Sequence, residues 1–220
     1  MIHKDTYFDI LNQIGTKTRL IAVSKTKPIE DIKALYELGH RDFGENKVQE
    51  LIEKHVLLPK DIRWHLIGHL QTNKVKLVLP FVFMIHSVDS EKLMQVIEKN
   101  AKELHLTNIR CLLQLHIAKE ENKTGFDVNV FHTNFMDAVK KCPSIQFCGL
   151  MGIATNTIVE AEIVKEFSLI QNTFLNLQKS FGESFSELSI GMSDDYKIAI
   201  EHGSTYIRVG SLLFGDRNYG

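Results

Sequence analysis

Eight short apolar runs, separated by stretches whose apolar residues recur at helical spacing, constrain this 220-residue chain more than any other feature. The runs are Leu20–Lys25, Arg41–Gly44, Trp64–Gly68, Phe81–Ser87, Ile109–Ile117, Gln146–Ile153, Glu187–Met192 and Tyr206–Gly210. Between them, Ile163, Phe167, Ile170, Phe174, Leu177 and Phe181 form one apolar helical stripe, and Leu93, Ile97, Ala101 and Leu104 form a shorter one. The helix after the first run carries its own limits, Pro28 near its first turn and Gly39 just past its end. Strands that alternate with helices predict a parallel sheet covered by helices, and eight is the number that closes a barrel. An open doubly wound sheet that bound a nucleotide would place a glycine-rich turn after its first strand, where this chain has Ser24-Lys25-Thr26-Lys27. The expectation is a (β/α)8 TIM barrel, one domain over residues 1–220, with an extra N-terminal helix from roughly His3 to Ile14 plugging or flanking it.

Composition excludes several function classes. With 26 basic and 27 acidic side chains, the net charge of −1 gives no global field for nucleic acid or an anionic membrane. The longest greasy stretch, Leu77 to Ile85, is too short to span a bilayer and is broken by Pro80. Met1-Ile2-His3-Lys4-Asp5 has no signal-peptide core. Cys111, Cys142 and Cys148 form neither a disulfide framework nor a metal-type pair, so a reduced, cytoplasmic setting is expected. His65 and His69 are four apart but straddle a strand end with no cysteine or carboxylate beside them, which disfavours a metal.

In parallel barrels the chemistry sits where strands end. The first run ends in Lys25, an amine at the rim of a core, where desolvation favours the neutral form that Schiff-base chemistry uses. Gly191-Met192-Ser193 and Gly210-Ser211 follow strands 7 and 8, where barrel phosphate sites fall, and offer hydroxyls and backbone N–H groups at helix starts. Ser193 has a second reading as a plain N-cap, with Asp194 and Asp195 in the first turn; these carboxylates oppose a phosphate unless they turn away. Arg208 lies inside strand 8 among apolar neighbours, either as a structural ion pair or as a fixed donor to a ligand. Asn46 faces the site or starts a helix, and Lys123 is a second candidate amine on a polar loop. Lysine, phosphate cradle and arginine converging on one mouth suit pyridoxal phosphate.

Longer motifs carry a family resemblance. Ala22-Val23-Ser24-Lys25-Thr26-Lys27-Pro28, Phe43-Gly44-Glu45-Asn46, Trp64-His65-Leu66-Ile67-Gly68 and Leu70-Gln71-Thr72-Asn73-Lys74 resemble the YggS/PROSC family of pyridoxal phosphate homeostasis proteins. Gly149-Leu150-Met151, Gly191-Met192-Ser193-Asp194-Asp195, Gly203 to Gly210 and Phe214-Gly215 continue the match in order. The resemblance implies a barrel like the N-terminal domain of alanine racemase, with pyridoxal 5'-phosphate (PLP) held as a Schiff base on Lys25. It implies Asn46, His65 and Met151 beside the cofactor, Ser193, Gly210 and Ser211 around its phosphate, Arg208 against its ring nitrogen, and Lys123 as a nearby second lysine. His69 departs from the family pattern, where many relatives carry proline.

The expected role is storage, delivery or buffering of PLP, with PLP-dependent apo-enzymes as possible recipients and a monomer or weak dimer as the working form. A guanidinium keeps its proton, so Arg208 would leave the ring nitrogen unprotonated, whereas carbanion chemistry works best with that nitrogen protonated. Racemisation also needs acid–base groups on both faces of the substrate carbon. Alanine racemase draws its second base from an added β-domain, for which a chain ending at Gly220 is expected to have no room. A PLP-dependent amino-acid racemase remains the alternative, and a Schiff-base aldolase a further one. Lys27 has no assigned role beyond solvation.

Overall fold

In a computed structural model that describes residues 2–119, 124–131 and 135–215, the eight apolar runs form parallel strands paired in chain order, and the last returns to the first to close a barrel. They are β1 (Arg19–Val23), β2 (Asp42–Glu45), β3 (Arg63–Leu66), β4 (Met84–Val88), β5 (Ile109–Leu115), β6 (Ile145–Gly152), β7 (Glu187–Ser189) and β8 (Tyr206–Val209). The helices are α1 (Lys4–Ile14), α2 (Ile29–Glu37), α3 (Val48–Leu57), α4 (Val75–Val78), α5 (Glu91–Glu103), α6 (Phe135–Lys140), α7 (Glu160–Phe181), α8 (Tyr196–Glu201) and α9 (Ser211–Phe214). The expected fold is the observed one, with shorter strands. β1 stops two residues before Lys25, because Ser24 makes the last backbone bond to Gly44 and the chain then turns through Thr26 at a φ of 63°. β4 starts at Met84 and not at Phe81, and β7 ends at Ser189 before Gly191 and Met192.

Strand alternation sorts the core into two compartments. On β1, Leu20 and Ala22 join the large apolar layer between barrel and helices, while Ile21 faces the barrel interior with Met84, Leu112, Cys148, Met151 and Tyr206. On β8, Ile207 and Val209 face out and Tyr206 faces in. At the N-terminal mouth, Arg19 and Arg110 pair with Glu187, and Arg63 pairs with Asp42. These arginines cover inner aromatic rings: Arg19 lies 4.0 Å from the Tyr206 ring centre and Arg110 lies 4.6 Å from that of Phe83. Helix α1 flanks the barrel and does not plug it. Its Tyr7, Ile10 and Ile14 are buried, the His3 N–H donates to Leu213 of α9, and Gln13 accepts from the Tyr196 hydroxyl of α8.

A buried ionic cluster outside the barrel fixes the chain that leaves β1. The Lys54 ammonium on α3 donates to the Ser24 carbonyl, to Glu45 Oε1 and to Glu50 Oε1, each at 2.7 Å. The Ser24 hydroxyl donates to Glu45 Oε1 at 2.6 Å, and the Thr26 N–H donates to Glu50 Oε1 at 2.6 Å. The two residues flanking Lys25 are therefore held by one cation and two carboxylates. Such a cluster adds little net stability over apolar packing but is costly to break, because any single deletion leaves a buried charge uncompensated.

Glycine is required where backbones touch. At Gly149, in the irregular register between β5 and β6, an added Cβ would fall 1.7 Å from the Glu187 carbonyl oxygen of β7. At Gly68 it would fall 2.4 Å from the Asn46 carbonyl oxygen, so this glycine lets the loop after β3 press against Asn46.

Two predictions follow from this packing. Gly149→Ala, which has to part the β6 and β7 backbones, is expected to cost about 3 kcal/mol or more in urea unfolding. Gly182→Ala, with no atom within 4 Å of the new Cβ and only a φ of 81° to strain it, should cost about 1 kcal/mol. Equal losses would refute the backbone-contact account. The second concerns Glu45, whose carboxyl burial pushes up to about 7 against the opposing Lys54 ammonium. A carboxyl whose folded pKa is raised contributes stability that is full below its ordinary 4.5 and is lost as pH rises through about 7. The stability of the wild-type chain relative to Glu45→Gln should therefore fall across that window, by up to about 3 kcal/mol. A pH-independent difference in urea midpoints would contradict it.

Candidate functional site

The C-terminal mouth of the barrel opens into a cavity of about 540 Å³. Its wall is built from chain segments leaving six strands. Lys25 and Lys27 come after β1, Asn46 after β2, Ile67 after β3 and Ile153 after β6, with Met192, Ser193 and Asp194 after β7. Arg208, Gly210 and Ser211 come from β8 and the start of α9. Lys25 is half-buried and continues the inward-facing alternation of Arg19, Ile21 and Val23, which carries its side chain to the cavity.

Arg208 is 4% exposed and forms part of the cavity floor. Its Nη1 donates to the Ser189 carbonyl at 2.7 Å and to the Ser189 hydroxyl at 2.8 Å, and its Nη2 donates to the Gly152 carbonyl at 2.9 Å. Its hydrogen bonds thus go to carbonyls and a hydroxyl and not to a carboxylate, so the ion-pair reading of this arginine gives way. Burial draws its pKa down to about 10, with Asp195 acting the other way, so it remains a cation at neutral pH. The bonds to Ser189 and Gly152 leave donor capacity at Nε and Nη2.

Ser193 is not the helix cap. Helix α8 starts at Tyr196, preceded by Asp195, and the Ser193 hydroxyl instead accepts a long 3.4 Å bond from the Gly210 N–H, joining the loops after β7 and β8. Asp195 turns back to accept from the Met192 N–H, while Asp194 is exposed on the cavity rim. Gly210 precedes α9, whose first N–H groups have no intrahelical acceptor. Asn46 presents a buried Oδ1 that accepts no hydrogen bond from the described residues.

Lys27 is half-buried, and its ammonium donates to the carbonyls of Phe214 and Gly215 at 3.0 and 2.9 Å. It therefore closes the C-terminal end of α9 and is more than a solvated side chain.

Two of the expected cofactor contacts are not in the wall. His65 is fully buried, bonded to His86 and Asp42, and Met151 belongs to the apolar barrel interior. Each lies one inward-facing position below a residue that does line the cavity, Ile67 for His65 and Ile153 for Met151. Lys123 lies outside the described residues. His69 pairs with Asp89 on the surface, and no group of His, Cys, Asp and Glu suited to a metal occurs among the described residues. The same residues contain no helix long and apolar enough to cross a membrane. Sequence reasoning missed Ser189, though a serine between Leu188 and Ile190 in a strand was a visible sign of a polar inward position.

Residues 7–218 match the family model described as alanine racemase, N-terminal domain. The pyridoxal phosphate homeostasis protein of Synechocystis is 37% identical over 221 residues, covering 99% of this chain and 100% of its own. The human protein of the same name is 36% identical over 217 residues, covering 91% of this chain and 77% of its own. PipY of Synechococcus elongatus PCC7942, in a structure with PLP bound, superposes with a TM-score of 0.87 at 35% identity, covering 96% of this chain and 99% of its own. With a closed barrel, a lysine at its mouth and full-length relatives of one name, this chain belongs to the pyridoxal phosphate homeostasis proteins of the alanine racemase N-terminal domain family.

Proposed function

We propose that this chain binds PLP in the cavity at the C-terminal mouth of its barrel, tethered as a Schiff base to Lys25, and serves intracellular PLP homeostasis without robust turnover. The observation that carries the reading is convergence. One cavity gathers a half-buried lysine, a buried arginine and the hydroxyl- and N–H-bearing loops after β7 and β8. A 35% identical relative, PipY, has been solved with PLP bound.

The residues present fit that group. Lys25 supplies the amine, and Ser193, Gly210 and Ser211 supply hydroxyls and backbone N–H groups for a phosphate. Asn46 offers an unused buried acceptor, and Arg208 offers N–H donors to a ring nitrogen. When bound, PLP supplies an aldehyde and an electron-withdrawing ring, which acts as the best electron sink when its nitrogen is protonated. Arg208 donates a hydrogen bond without surrendering its proton, which favours holding the cofactor over driving carbanion chemistry.

A racemase needs two acid–base groups across the substrate carbon. Besides Lys25, the ionisable side chains on the described wall are Lys27, Asp194 and Arg208. Lys27 is engaged by α9, Arg208 remains protonated, and Asp194 sits exposed on the rim. This supports the carrier reading. PLP-dependent apo-enzymes are the proposed recipients.

The purified chain loaded with PLP is expected to absorb near the visible edge, and borohydride should fix the cofactor's mass on the peptide containing Lys25. Lys25→Ala should lose the band while keeping its far-UV circular dichroism. A band retained by this variant, or an adduct on Lys27 or Lys123, would move the tether elsewhere. A colourless protein would point to the aldolase, and sustained loss of optical activity from L-alanine would reinstate the racemase.

A further inference from the structure

The barrel interior contains polar side chains that the cavity does not use. Asp42 Oδ1 lies 3.0 Å from His65 Nε2, His65 Nδ1 lies 2.9 Å from His86 Nε2, and His86 Nδ1 lies 3.0 Å from the Ser189 hydroxyl. That hydroxyl accepts from Arg208 Nη1 at 2.8 Å. His65, His86 and Ser189 are all fully buried. The five residues come from β2, β3, β4, β7 and β8, so the line crosses the barrel from its N-terminal ion-pair layer to the floor of the cavity.

Both ends of this line have a fixed hydrogen-bond polarity. A guanidinium only donates, and an ionised carboxylate only accepts. Asp42 is ionised: burial alone would raise its pKa, but bonds from Arg63 and His65 hold it well below the usual carboxylate range. His65 therefore presents its Nε2–H to Asp42. Burial pushes both imidazoles down, and the nearby Arg208 charge helps to hold His86 well below the ordinary histidine value. Each ring is then neutral, with one N–H and one lone pair. His65 must accept at Nδ1 from His86 Nε2–H, His86 must accept at Nδ1 from the Ser189 hydroxyl, and Ser189 must present a lone pair to Arg208. The reverse polarity would leave an imidazole lone pair against the Asp42 carboxylate or require a buried imidazolium. Every link has a single direction.

We propose that Ser189, His86 and His65 are positioning residues for Arg208, forming a one-way hydrogen-bond chain that aims its guanidinium at the cavity and links this buried cation to Asp42 across the barrel. The functional consequence rests on the reading that Arg208 meets the ring of PLP; the chain itself does not. It also gives His65 a role that reaches the ligand only through His86, Ser189 and Arg208. Arg208 has no carboxylate hydrogen bond, so besides the nearby charge of Asp195, an oriented chain ending in a carboxylate offsets the cost of its burial.

The test has a part that needs no cofactor. In the apo chain labelled with ¹⁵N-histidine, long-range ¹H–¹⁵N spectra should show His65 and His86 as neutral Nε2–H tautomers at neutral pH. An Nδ1–H tautomer for His86, or an imidazolium on either ring at neutral pH, overturns the chain. Ser189→Ala removes one link and no charge. It should shift the His86 tautomer ratio, move the absorbance maximum of the PLP-loaded protein and speed PLP release by roughly tenfold, the scale of one hydrogen bond to a charged group. Ser189→Thr, which returns the hydroxyl, should restore the absorbance maximum even if its added methyl lowers the melting temperature. If Lys25 anchors PLP but Ser189→Ala leaves tautomer, spectrum and release unchanged, the positioning role is refuted and the binding reading stands. If Lys25 is not the anchor, the histidine spectra of the apo chain still decide the matter of the chain.

Discussion

Closing eight parallel strands sends every second side chain into a space just wide enough for side chains to fill. The rest of this structure follows from how that space is filled. Ile21, Met84, Leu112, Cys148 and Met151 fill part of it with apolar volume. The remainder is polar, and each polar group there needs a partner, because an unpaired buried one costs a few kcal/mol. At the N-terminal mouth the partners are ion pairs, Arg63 with Asp42 and Arg19 and Arg110 with Glu187. In the middle they are His65, His86 and Ser189, bonded to one another. At the C-terminal mouth Arg208 is partnered only in part, and its remaining donors meet a cavity. The site is thus the top layer of the barrel's own filling.

Outside the barrel a different device holds the lysine. The cluster of Lys54, Glu45 and Glu50 grips the residues on either side of Lys25, and Gly68 lets the loop after β3 press on Asn46. Lys27 joins the first loop to the last helix through the carbonyls of Phe214 and Gly215. The loops after β1 and β8, which bear the proposed tether and part of the proposed phosphate contacts, are therefore fastened to each other as well as to the sheet. A tether on a loop so held loses little conformational entropy when it is engaged.

The architecture was legible because two periodicities announce it: eight apolar runs and, between them, stripes such as that of Ile163 to Phe181. Lys25, Asn46, Ser193, Arg208, Gly210 and Ser211 were legible because strand ends are where a parallel barrel exposes its chemistry, and all six meet at one cavity. His65 and Met151 illustrate the limit. Their strands and facing were readable, but depth along the strand was not, since it depends on the stagger between neighbours and on where each strand stops. Ile67 and Ile153 hold the wall positions instead. The Glu45–Lys54 pair was out of reach for another reason. It joins a strand to a helix through side chains whose spacing in sequence encodes no contact, and a lysine in an amphipathic helix reads as solvated until its 7% exposure is seen.

The two supports differ in how they respond to protons, and on the proposed carrier reading that difference bears on keeping and releasing the ligand. In the line from Arg208 to Asp42, burial holds both histidines below their ordinary value, Arg63 and His65 hold Asp42 low, and Arg208 stays charged. The cluster under Lys25 contains Glu45, whose carboxyl is placed near 7. Glu45 and the Ser24 carbonyl share the Lys54 ammonium, so the protonation state of Glu45 changes the charge balance at the residue before Lys25. On the proposed reading, the ring contact is the constant part of the grip and the loop bearing the tether is the adjustable part. On that reading, a cofactor oriented by fixed donors can be let go through the proposed Schiff base, the one bond that forms and breaks reversibly.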